Sequence, residues 1–195
     1  MGLSWTDTAA YQAAFDDACQ RVSLYLHEAL RWNREHGLLT FVTNFLLPQQ
    51  NPMGRLLPRH DYRNMIYFVG RVNEFLASEV AKYHNAHVLD VDQIAGSIGR
   101  RFIQDDAVTF STHGSPLGDY DFPLDQHRIE PPPIPVSKLY SAKTDYFVSE
   151  IWREVSAMYK TLMQLHSVKM VIMDLDDTLW RGVIGDRSSL DEPDI

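Results

Sequence analysis

The sequence predicts an α/β fold built on a parallel sheet, and three observations lead to it. Short apolar runs at 38–47, 86–92 and 168–174 have strand character. Stretches of helical period at 6–36, 61–83 and 137–166 alternate with them. Strands separated by helices of that length form βαβ units, whose crossovers make neighbouring strands parallel.

Each element has its own warrant. Over 6–36, Tyr11, Phe15, Ala18, Val22, Tyr25 and Ala29 recur at spacings of four and three, which sets them on one helical face. Asp7 or Thr8 caps the start and Gly37 ends it. "LLTFVTNFLL" (38–47) is short, apolar and rich in branched and aromatic side chains, and Pro48 stops it. The prolines, glycine and amides of "PQQNPMGRLLPRHD" make a loop. Tyr67, Val72, Phe75, Leu76 and Val80 form the stripe of a second helix. "AHVLDVD" reads as a second strand and "QIAGSIG" as a helical turn or two. No sustained period runs from 104 to about 135. Ser137 starts a third helix carrying Phe147, Ile151, Val155, Met158 and Leu162, and "VKMVIMD" is a third strand.

The triple proline at 131–133 resists both helix and sheet and acts as a stiff spacer. The expected organisation is an α/β module over 1–130, a proline linker and long helix over 131–167, and the opening of a further domain over 168–195.

Composition narrows the function classes. The chain of 195 residues is 45% hydrophobic and 23% charged, an ordinary balance for a packed core. A net charge of -8 argues against unaided binding to nucleic acid or an anionic membrane, because both need clustered cations. Arg100 and Arg101 are the nearest approach to a basic cluster, and Asp105 and Asp106 follow them. Cys19 is the sole cysteine, so an internal disulfide is excluded. No apolar run approaches the roughly 20 residues that span a bilayer, and the N-terminus lacks the pattern of a signal peptide. A cytoplasmic location is the expectation.

The densest chemistry is in "VKMVIMDLDDTLWRGVIGD" (168–186). Ligands of an open parallel sheet bind beyond the carboxyl ends of its strands, where this run would place Asp174 and Asp176. Carboxylates two apart on an extended segment share a side. Together they make a negative site suited to Mg2+, which takes oxygen ligands. One carboxylate can attack a phosphoryl group while the other handles a proton. Thr178 can hold the turn through a local hydrogen bond. A bare D-x-D is more often a solvated acidic turn; here the apolar run before it and the Thr, Trp and Gly after it favour a site.

"DLDDTLW" resembles the first motif of the haloacid-dehalogenase (HAD) superfamily, and "DLDDTLWRGVIGD" resembles its FkbH-like branch, subfamily IIIC. The resemblance implies a Rossmann-like domain in which Asp174 is the nucleophile that becomes an aspartyl phosphate. It implies Asp176 as the general acid/base, with its backbone carbonyl helping to hold Mg2+. Upstream, "FVTNFLLPQQNPMGRLLPRHD" and "HVLDVDQIAGSIGRRFIQDD" are similar to the SGNH-hydrolase-like module, flavodoxin-like in fold, that precedes the phosphatase domain in FkbH-like proteins. The family acts in polyketide and surface-polysaccharide assembly, and some members dephosphorylate a glyceryl donor and load the glyceryl unit onto a carrier protein. An acyl carrier protein is the partner this implies.

The departures from the family bear on activity. A complete HAD site needs a later Ser or Thr, a Lys and further acids. After Gly185 only "DRSSLDEPDI" follows, and no lysine lies beyond Lys169. The expectation is a HAD domain truncated after its first motif and a chain that is not a self-sufficient enzyme. The SGNH-like half lacks a Gly-Asp-Ser-like block, and no histidine follows an aspartate by three. His127, two after Asp125, is either a catalytic base or a surface-loop histidine, and the second reading is the better one. Asn44 either binds a ligand or caps the next turn. Trp152 and Tyr159, seven apart, are core or interface residues. A competing reading makes the chain a binding or scaffold module that docks a carrier protein or a separate catalytic half. The apolar run at 168–184 is also expected to pair with a second copy, add to the upstream sheet or be poorly ordered.

Overall fold

The computed structural model describes residues 4, 6–49, 56–104, 143–165, 168 and 170–172. The elements run α1 (Thr8–Ala29), α2 (Arg31–His36), β1 (Thr40–Thr43), α3 (Met65–Val80), β2 (Ala86–Leu89), α4 (Val91–Ile98), a 3-10 turn (Arg100–Phe102) and α5 (Thr144–Leu162). The chain divides into two compact units, Met1–Ala157 and Met158–Ile195.

The expected helix over 6–36 is two helices with one shared course. Asp7 caps α1 by accepting from the Ala10 amide at 3.0 Å. Leu30, at φ -90° and ψ 19°, leaves the helical region. Even so, its N–H still reaches the Leu26 carbonyl at 2.9 Å and its carbonyl accepts from Arg34 at 3.0 Å. Gly37 closes α2 in the left-handed region at φ 65°. The buried side is Cys19, Leu26, Leu30 and Asn33. Of the residues expected there, Tyr11, Phe15, Ala18 and Val22 are half-buried, whereas Tyr25 and Ala29 are exposed.

β1 and β2 pair in parallel, from Thr40 opposite Ala86 to Thr43 opposite Leu89. α3 crosses between them, which makes one βαβ unit of the general α/β class the sequence predicts. The core lies between this strand pair and the α1–α3 layer. Leu26, Leu30, Leu76, Val80 and Ala86 are buried together, with Val22, Val42, Tyr83 and Val88 packed against them. Asn33 is buried at the corner of this core. Its Nδ2 donates to the Leu38 carbonyl at 2.7 Å and the His84 carbonyl at 2.8 Å, tying the loops that lead into both strands. The segment before α3 is fastened by rings: Phe15 lies 4.6 Å from Tyr62 and 5.8 Å from Phe68.

The strands are shorter than expected. β1 stops at Thr43 rather than 47, and β2 at Leu89 rather than 92, because Asp90 already caps α4. α3 occupies Met65–Val80 within the expected 61–83, with Val72, Leu76 and Val80 buried as the stripe requires. α5 likewise falls inside the expected 137–166, but none of its residues is buried. Trp152 at 68% exposure and Tyr159 at 43% are therefore not core residues. Val168, Met170, Val171 and Ile172 of the expected third strand lie in no strand and are exposed. The proline run and the expected boundary it carries lie outside the described residues.

Candidate functional site

The carboxyl ends of β1 and β2 are where a parallel sheet offers a crevice, and there the described residues concentrate their polar side chains. Asn44 follows β1, while Asp90 and Asp92 follow β2. Asn44 Nδ2 donates to Asp90 Oδ1 at 2.7 Å, and its Oδ1 accepts from the Asp92 amide at 3.2 Å. Asp90 Oδ1 also accepts from the Gln93 amide at 2.9 Å. Asn44 thus does the capping job, for the helix that follows the other strand. Two of the four orphan amides of α4 are already taken.

Asp92 anchors the second half of the arrangement. It is 8% exposed and its carboxylate is gripped by Arg100, with Nε to Oδ1 at 3.0 Å and Nη2 to Oδ2 at 2.6 Å. The hydrogen bond to Asp92 pushes the Arg100 pKa up, against the opposing effect of burial. Asp92 Oδ1 also accepts from the Leu47 amide at 2.8 Å. Gln104 Nε2 donates to the Leu47 carbonyl at 2.8 Å, and Gln49 Nε2 donates to the Gln104 carbonyl at 2.6 Å. Asn73 from α3 holds Phe45 from both sides, accepting from its N–H at 2.9 Å and donating to its carbonyl at 2.8 Å.

Phe45 and Leu47, two apart on the segment after β1, thus have their backbone groups satisfied by side chains as a neighbouring strand would satisfy them. The buried Asp92 and half-buried Arg100 bond to each other and to the backbone, while the exposed Asp90 bonds through Oδ1 to Asn44 and the Gln93 amide. The arrangement fixes the segment after β1. Among the described residues no group of three or more His, Cys, Asp or Glu is placed to hold a metal ion.

Asp174, Asp176 and Thr178, the candidate nucleophile, acid/base and turn residue, lie outside the described residues, as does His127. Asp92, Asn73 and Gln104 were not singled out from sequence. Each pairs with a residue distant in the chain, or eight along in the case of Arg100, so no local spacing marks them. Of the other histidines, His36 stacks on Trp32 at 5.0 Å and His87 faces Phe41 across the strands at 6.3 Å. No described helix is long and apolar enough to cross a membrane.

No family model, curated protein or solved structure matches the chain.

Proposed function

We propose that the chain contributes the opening of a HAD-type phosphatase of the FkbH-like kind, joined to an SGNH-like α/β module. The whole enzyme's reaction is Mg2+-dependent dephosphorylation coupled to transfer of an acyl or glyceryl unit to a carrier protein. The motif "DLDDTLWRGVIGD" at 174–186 carries this reading, and the parallel βαβ unit upstream is compatible with it. Asp174 acts as nucleophile and Asp176 as acid/base, with Thr178 holding the turn. The donor set, two carboxylates and a backbone carbonyl, consists of the hard oxygens that Mg2+ takes. Bound there, Mg2+ supplies charge neutralisation for the phosphoryl group. Of the later Ser or Thr, the Lys and the further acids that such a site needs, the Lys is not found after Gly185 in these 195 residues.

The test joins the chain to the downstream segment of an FkbH-like phosphatase domain and follows aryl phosphate hydrolysis in Mg2+. The expected result is turnover that falls by at least about 100-fold in Asp174→Asn. A fusion that unfolds cooperatively yet shows no turnover, or turnover untouched by Asp174→Asn, overturns the reading.

A second reading has its own support. Asn44, Asp92 and Arg100 at the carboxyl edge of β1 and β2 make structural bonds, which suits a module that holds a partner. On that reading the chain is a scaffold that docks a carrier protein or a separate catalytic half, or a second copy through the run at 168–184. Retention of a carrier protein by the 195-residue chain, unaffected by Asp174→Asn, favours it over the first.

A further inference from the structure

We draw no further inference here: the strongest candidate, the apolar face of α5 with Val148, Trp152 and Tyr159 exposed along it, is a helix face without a buried residue, and nothing in the structure shows what covers it.

Discussion

Asp92 and Arg100 show how one pair can hold a corner of the fold. Their side chains are 11% and 32% exposed, between a buried pair and a surface pair, and Asp92 also satisfies the Leu47 amide. Asp92→Ala strands a half-buried guanidinium and a backbone donor, so it should cost about 2–3 kcal/mol. Urea unfolding of Asp92→Ala, Arg100→Ala and the double variant should give a coupling above about 1 kcal/mol; additivity within about 0.5 kcal/mol would refute the clasp. Asp61 makes a different prediction. The Arg63 guanidinium hydrogen-bonds its carboxylate through Nε and Nη2, the Arg63 amide adds a third bond, and the carboxyl is lowered from 3.8 to about 2. A depressed carboxylate stabilises the fold above its unfolded pKa and loses that contribution as pH falls through the folded value. The stability gap between wild type and Asp61→Asn should therefore be constant above about pH 5 and close between 3.8 and about 2. A gap that persists at pH 2 would show that the pair contributes nothing through its charge. At this scale the sequence was informative only where the partner is local. Asp7 as a cap was readable because Ala10 is three residues away. For Asn44 both readings stood until the fold brought Asp90 beside it.

The elements were more legible than their edges. A parallel pair near 38–46 and 86–91, crossed by a helix, follows from apolar runs and helical period alone, and β1 and β2 pair in that sense. Strand length did not follow, because the apolar run continues to Leu47 while the partner strand ends at Leu89. Beyond that point side chains of Asn73, Asp92 and Gln104 take over the backbone of Phe45 and Leu47. The stripe of α1 shows a second limit. Steps that alternate four and three have a period near 3.5 and drift off a face whose period is 3.6. Tyr25 and Ala29 were thus placed inside one position too early, and Leu26 and Leu30 occupy the core instead. The end of α2 was readable, since Gly37 takes φ 65° with open space where a Cβ would lie. Gly37→Ala therefore meets backbone strain and no clash. It should cost about 1 kcal/mol, and Gly37→Asn less, because Asn tolerates that region. Shifts of the urea midpoint at unchanged slope would measure both, and an Ala variant as stable as wild type would rule out strain at this cap.

For the whole molecule, no described helix is long and apolar enough to cross a membrane. The division into units at Ala157 and Met158 falls inside α5. The candidate chemistry rests on the sequence alone, since Asp174 and Asp176 lie outside the described residues. Asp174 and Asp176 stand out because a carboxylate pair after an apolar run is a costly local choice, but a phosphoryl site needs groups from several strands. Transfer through an aspartate depends on preorganised cations and metal around the moving phosphoryl group as well as on the nucleophile. Losing one such stabilising donor typically costs on the order of 100- to 1000-fold, and on the proposed HAD-type reading no lysine after Lys169 is present in these 195 residues to act as one. On that reading two carboxylates and a carbonyl would fill three of the six positions of an octahedral Mg2+ shell and leave the other half to water, so binding should be weak. Weak binding is visible as weak linkage, since an ion stabilises only in proportion to its occupancy of the folded state. The 195-residue chain should therefore show no aryl phosphate hydrolysis above that of Asp174→Asn, with Mg2+ or with chelator. Its thermal midpoint should be the same in both conditions. Turnover by wild type that Asp174→Asn abolishes would mean that the first motif recruits its missing partners from elsewhere in these 195 residues. A midpoint raised by Mg2+ and restored by chelator would place a well-formed metal site within them.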